Sequence, residues 1–228
     1  MSQAAPLSIV FALFPGVTHL DFTGPHQILS RLPGAKVVAA SLAGGEIEAD
    51  GLTFAHLPRL ADLETCDLLC VPGGFGTTEA MADPAFLDQI RRLAAMSRYV
   101  TSVCTGSLVL GAAGLLRGKR AACHWAWREQ LALFGATPDP GRVVRDGNVF
   151  TGGGVTAGID FALTIAAEIA GEDMAMAIQL GVEYAPAPPF DSGRPETAPP
   201  QILARVQAVY GKGMEDRWAA ARKAAERM

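Results

Sequence analysis

Short apolar runs, each stopped by glycine, proline or a small residue and followed by a stretch of helical period, most constrain how this chain can fold. Leu7–Leu13 (LSIVFAL) runs into Pro15-Gly16, and Lys36–Ser41 forms a second run. Asp67–Val71 stops at Pro72-Gly73-Gly74, and Tyr99–Val103 stops at Cys104. Helical stretches lie between them. Asp21-Phe22-Thr23-Gly24-Pro25 predicts a helix start, with Thr23 as its cap and Pro25 in its first turn. Asp83-Pro84 opens another helix to about Ser97, and Thr105–Ala113 reads as a third. Strands this short and apolar are buried on both faces, which requires helices above and below a mainly parallel sheet. The predicted fold class is α/β: a three-layer, doubly wound, mostly parallel sheet. Ligands on such sheets bind beyond the carboxyl ends of the strands. Asp21, Gly73-Gly74 and Cys104 fall there.

The remaining segments fit the same plan. Glu46–Phe54, after Gly44-Gly45, predicts a hairpin excursion. Arg120–His124 predicts a strand and Trp125–Phe134 a helix. Val143–Phe150 predicts a hairpin turning at Asp146-Gly147, ended by Thr151-Gly152-Gly153-Gly154. Helices over about Thr156–Ala170 and Met174–Gly181 follow. Tyr184–Pro200 is proline-rich and reads as an arm. One final helix is expected over about Gln201–Arg227, with apolar positions at Ile202, Val206, Val209, Met214 and Trp218. That stripe fits either a solvated end or packing on a second subunit. The whole of 1–228 is expected to be one domain.

Composition removes several classes. The net charge is −4 and no basic run exceeds a pair such as Lys119-Arg120, so nucleic acid is not an expected partner. The N-terminus lacks the basic start of a secretory signal, and no apolar run approaches the ~20 residues that span a bilayer. A soluble, cytoplasmic protein without a membrane partner is expected. The four cysteines form no C-x-x-C pair and lack zinc-site spacing, so reduced thiols and no metal are expected.

Cys104 stands apart from the other three. YVTSVCTGSLVLGAAGLL sets it at a strand-to-helix junction, where a tight turn projects a side chain above the sheet. A helix N-terminus favours thiolate, and Gly106 and Ser107 leave room beside the sulfur. Cys66, Cys70 and Cys123 lack that setting and read as small buried hydrophobes. Gly73-Gly74 is either a plain turn or lets backbone N–H groups approach a ligand, one of which with the N–H of Thr105 would make an anion-stabilising pocket. Asp21 is either a general acid/base beside the thiol or a helix cap. His124 is either an ion-pair partner of the thiolate or a packing histidine beside Trp125. Thr151–Thr156, with Gly153 and Val155, would either shape a pocket wall or form a flexible turn, and Phe22, Phe75, Val155 and Ile159 are candidates for an apolar lining.

These residues resemble the ThiJ/PfpI superfamily through LFPG, DFTGPH, CVPGG and the VTSVCTGSLVLGAAGLL elbow. CTGSLVLGAAGLL, CHW, VVRDGN, TGGGVTAGIDFAL and EYAPAPPF are similar to its isocyanide hydratase branch. The resemblance implies the flavodoxin-like, class I glutamine amidotransferase-like fold and a homodimer. It also implies Cys104 as nucleophile, Asp21 as acid/base residue, and Gly74 and Thr105 as backbone amide donors. The implied reaction is hydration of a small uncharged isocyanide by water to an N-substituted formamide, through a thioimidate and without a cofactor. Alternatives are a glyoxalase or deglycase acting on 2-oxoaldehydes, which would be expected to carry Glu in place of Asp21, or a cysteine redox sensor. A transcription regulator is disfavoured because only one helix is expected after Pro200.

Overall fold

In the computed structural model, which describes residues 6–211 and 213–228, the apolar runs become the strands of a six-stranded sheet. β1 (Leu7–Leu13), α1 (Leu20–Leu29) and β2 (Ala35–Ser41) come first. A hairpin of β3 (Gly45–Ala49) and β4 (Leu52–Leu57) precedes β5 (Leu68–Val71). Helices α2 (Thr77–Ala82) and α3 (Pro84–Met96) lead to β6 (Tyr99–Val103) and α4 (Gly106–Ala112). β7 (Arg120–Ala121) and β8 (Thr137–Pro138) flank a 3-10 segment, Arg128–Phe134. The hairpin β9 (Val143–Asp146) and β10 (Val149–Gly152) then leads to α5 (Ala157–Ala170) and α6 (Glu172–Gly181). α7 (Pro200–Gly211) and α8 (Met214–Ala225) follow the proline-rich segment.

The sheet order is β2-β1-β5-β6-β10-β9, and only the β9–β10 pairing is antiparallel. β5 and β6 are buried at every position, as their uninterrupted apolar character requires. α1, α5 and α6 pack together on one face, while α2, α3, α4 and α8 form the other layer. α3 shows why a helix forms where it does. Asp83 caps it through Ala85 N–H (2.9 Å) and Phe86 N–H (3.2 Å), and Pro84 takes the first position. Phe86, Leu87, Ile90, Leu93 and Ala94 recur at helical spacing and are its buried face. Strand order reverses between β1 and β5, so the carboxyl ends of β1, β5 and β6 converge on one crevice.

The structure corrects four local expectations and adds one helix. α1 starts at Leu20, with His19 at the cap position, so Thr23 and Pro25 lie inside the helix. The Asp50 carboxylate, at the tip of the β3–β4 hairpin, accepts the His19 N–H (3.1 Å), and Thr23 Oγ1 donates to His19 C=O (2.9 Å). A distant loop therefore supplies the acceptor that no local side chain provides. Arg120–His124 yields only the two-residue β7, outside the main sheet, and Trp125–Phe134 forms 3-10 structure from Arg128. The short helix α2 carries no sequence signal of its own. The single terminal helix is two helices. α8 buries Arg217, Ala221 and Ala224 against α2, α4 and the 3-10 segment, whereas α7 buries nothing. Two helices after Pro199 remove the count that argued against a regulator, but α8 is committed to its own core. Among the described residues no helix is long and apolar enough to cross a membrane.

Candidate active site

Cys104 leaves β6 with φ of 58°, a left-handed conformation that costs a residue bearing a Cβ about 1–2 kcal/mol. The cost is met by its surroundings. Its N–H donates to Gly152 C=O (3.1 Å) and Gly153 C=O (2.8 Å), which pins the elbow to the end of β10. Gly153 thus anchors the Cys104 backbone. Gly106 lets α4 begin directly against β5, because a Cβ there would strike the Val71 carbonyl oxygen. Ser107 does more than leave space. Its hydroxyl bonds Ala122 C=O (2.6 Å), and Thr151 Oγ1 accepts the Ala122 N–H (2.7 Å). The loop carrying Cys123 and His124 is fixed at both of those groups.

Asp21 lies in the first turn of α1, fully buried, and points away from the capping role. Its Oδ2 accepts the Gly73 N–H (2.9 Å). Gly73 permits this approach, since a Cβ there would lie 2.5 Å from Thr105 N and 2.9 Å from Asp21 Oδ2. Asp21 Oδ1 has no hydrogen-bond partner of good geometry, and the Cys104 thiol is its neighbour. Burial pushes the Asp21 carboxyl up to about 7, against the lowering effects of the Gly73 N–H and the thiol. Burial and the Asp21 charge drive the Cys104 thiol well above its ordinary value, although the Thr105 N–H favours the thiolate. The expected lowering by the helix N-terminus is therefore outweighed. Near neutral pH the pair holds one or two protons between sulfur and carboxyl, and the sulfur is a thiol.

The neighbouring amide is arranged differently from expectation. The Gly74 N–H donates to Thr105 Oγ1 (2.9 Å), and Thr105 Oγ1 lies 2.7 Å from Thr77 Oγ1. Gly74 therefore meets the site through the Thr105 hydroxyl, while Thr105 itself presents N–H to the sulfur. The carbonyls of this turn are held from the far end of the chain. Arg217 Nη2 donates to Phe75 C=O (2.9 Å) and Gly74 C=O (3.3 Å), and Nε donates to Thr78 Oγ1 (3.0 Å).

Cys104 opens into a cavity of about 50 Å³ walled by Thr18, Gly74, Phe75, Thr105, His124, Trp127, Val155 and Tyr210. Val155 and Phe75 are where the sequence places them. Phe22 is not: its ring packs edge-on against Phe54 at 4.8 Å between centroids, on the core side of α1. Ile159 faces Gly24 across the α1–α5 contact. His124 sits in an aromatic cluster, 4.9 Å from Trp127 and 5.4 Å from Tyr210 between centroids. Its Nδ1 accepts the Ala126 N–H (3.3 Å), and burial with the Arg217 charge lowers its pKa to about 4. A neutral imidazole does not favour an ion pair with a thiolate, and the ring contacts with Trp127 and Tyr210 fit the packing reading of His124. Thr18, Trp127, Tyr210 and Arg217 escaped the sequence reading. Their place depends on chain segments that meet only after folding. All four cysteines are free and buried.

An elbow cysteine with an uncommon positive φ, a buried carboxyl beside it and a glycine turn opposite form one constellation at the strand ends. The DJ-1/PfpI family model matches residues 7–168, which include all three of these features but not Tyr210 and Arg217. The chain belongs to the DJ-1/PfpI family. Among DJ-1/PfpI relatives, isonitrile hydratase from Pseudomonas putida is 54% identical over 201 residues, covering 86% of this chain and 87% of the relative. A ThiJ/PfpI family protein from Pseudomonas syringae superposes with TM-score 0.92 at 38% identity, over 96% of this chain and 92% of that one. Drosophila melanogaster DJ-1beta matches with TM-score 0.70 at 26% identity; 79% of this chain covers 100% of that one. The DJ-1/PfpI fold is thus shared throughout, and this chain extends beyond the DJ-1beta length. A buried thiol with a proton acceptor beside it and a small, largely aromatic cavity above it suits addition to a small electrophile.

Proposed function

We propose that the protein is an isocyanide hydratase, converting R–N≡C and water to an N-substituted formamide. The observation that carries this reading is the 54% identity to isonitrile hydratase across most of both chains. The site is consistent with it. The cavity is small and lined by Phe75, Trp127, Val155 and Tyr210, which suits an uncharged substrate.

Cys104 is the nucleophile and Asp21 the proton carrier in this reading. The thiol passes its proton to the Asp21 carboxylate as sulfur bonds to the terminal isocyanide carbon. Asp21 returns that proton to the same carbon, giving the thioimidate R–N=CH–S–Cys104. Water then adds to the carbon, losing one proton to Asp21, which delivers it to nitrogen. Collapse breaks the C–S bond, the hydroxyl proton returns to sulfur, and the formamide leaves. Thr105 N–H supports negative charge on the sulfur, and Gly74 and Gly73 hold Thr105 and Asp21 in place. Val155 and Gly153 complete the wall and anchor the elbow.

The same reading takes residues 1–228 as one cytoplasmic domain that works as a homodimer. The exposed apolar side chains Met176 and Leu180 on α6, Phe190 in the proline-rich arm and Ile202 and Val209 on α7 support that assembly. The deciding experiment offers the purified protein an alkyl or aryl isocyanide and methylglyoxal in parallel. Formamide absorbance rising in the ultraviolet with the isocyanide supports hydration. Turnover of methylglyoxal with none of any isocyanide would replace it with a glyoxalase or deglycase.

A further inference from the structure

Arg217 is 3% exposed, yet it forms no ion pair among the described residues. Its guanidinium lies 4.6 Å from the Trp127 ring centroid and donates to Gly74 C=O, Phe75 C=O and Thr78 Oγ1. Nη1 is buried without any acceptor. Arginine keeps its proton even when buried, so a full positive charge is held next to the thiol cavity. Burying such a charge without a carboxylate is unfavourable, and costs of this kind are retained where a site uses them. The titratable groups that face it are Cys104, Cys123, Glu79 and His124, and Glu79 is the one acid among them outside the cysteines. Charge at Arg217 therefore acts on the Cys123 thiol first, then on the Cys104 thiol across the cavity wall of Gly74, Phe75 and Trp127, and less on Glu79. It comes from α8, beyond residue 168 where the family match ends.

We propose that Arg217 is a positioning residue of the thiol site: its fork fixes the Gly74–Phe75 turn through two carbonyls, and its unpaired charge favours the Cys104 thiolate as the sulfur begins to attack. The fork acts by shape. Gly74 C=O held by Nη2 orients the Gly74 N–H that Thr105 Oγ1 accepts, and Thr105 in turn presents its N–H to the sulfur. The charge acts at a distance through a low-dielectric interior, where it is poorly screened. The catalytic part of the inference rests on the hydration reading, while the charge part does not.

Two variants separate shape from charge. Alkylation of Cys104 by iodoacetamide is followed against pH by mass spectrometry of its peptide, alongside formamide formation from an aryl isocyanide. Arg217→Met removes both fork and charge, and should raise the alkylation midpoint by about one pH unit or more and lower kcat about tenfold or more. Arg217→Lys keeps the charge alone, so its midpoint should stay within roughly 0.3 unit of wild type while kcat still falls about tenfold at little-changed KM. An unshifted midpoint in a folded Arg217→Met protein overturns the role of the charge. Wild-type kcat in Arg217→Lys overturns the role of the fork, and it does so even if the methionine variant fails to fold. If no isocyanide is turned over at all, the hydration reading falls and the alkylation midpoints still decide the charge.

Discussion

Asp21 carries the clearest signature of function at the scale of single residues, because its environment destabilises the fold. Its pKa is about 7 in the folded chain against an ordinary 3.8. Between those values the native carboxyl is protonated while the unfolded one is ionised, so folding takes up a proton. Stability contributed here is present at low pH and falls as pH rises through the window. Asp21→Asn retains an acceptor for the Gly73 N–H and removes the ionisation. It should therefore raise the melting temperature at pH 8 but not at pH 4, by a free energy on the order of a few kcal/mol. The same substitution should lower kcat about 100-fold or more, as loss of a general acid/base does. In the wild type kcat/KM should rise with an acid limb near the Asp21 value, where the carboxylate becomes free to accept the thiol proton, and the limb should vanish in the variant. A limb that survives Asp21→Asn but is lost in His124→Gln would transfer the proton chemistry to His124. Identical melting temperatures for wild type and Asp21→Asn across the pH range would contradict the buried, proton-sharing carboxyl.

Individual elements show which parts of the fold are written locally. α3 has a cap, a first-turn proline and a single apolar face within its own sequence, and it lies where those signals put it. Asp83→Ala should cost about 1 kcal/mol, read as a lower denaturant midpoint, with kcat unchanged because α3 supplies nothing to the cavity. A large loss of activity at unchanged stability would show that α3 shapes the site after all. α1 is the contrasting case. Its start depends on Asp50, some thirty residues later in the chain, and no spacing rule finds that partner. Phe22 illustrates the same limit. An apolar side chain next to Asp21 must be buried, but whether it faces the cavity or Phe54 is settled by the turn of α1. The strands were legible because complete burial demands uninterrupted apolar residues. Cys104 was legible because small neighbours and a strand end are local features too.

At the scale of the whole molecule, the site is assembled from both ends of the chain. Thr18 and Asp21 come from the first strand–helix unit, the thiol from the middle, and Tyr210 and Arg217 from the last two helices. The C-terminal contribution could not be read from the sequence. Tyr210 sits in a helix with no buried residues, and Arg217 looks like any surface charge until α8 docks against α2. Only folding turns a hydrophilic position into a buried guanidinium. The exposed apolar residues of α6, α7 and the arm predict a dimer, which sedimentation at micromolar concentration checks; a monomer there would leave those faces without a covering subunit. In the proposed hydration one sulfur performs the chemistry, and the most direct measurement compares formamide production from an aryl isocyanide by wild type and Cys104→Ala at matched concentration. The wild type should turn over repeatedly, and the variant, still folded, should show only the uncatalysed rate. Formamide production by Cys104→Ala at a rate near that of the wild type would contradict the account.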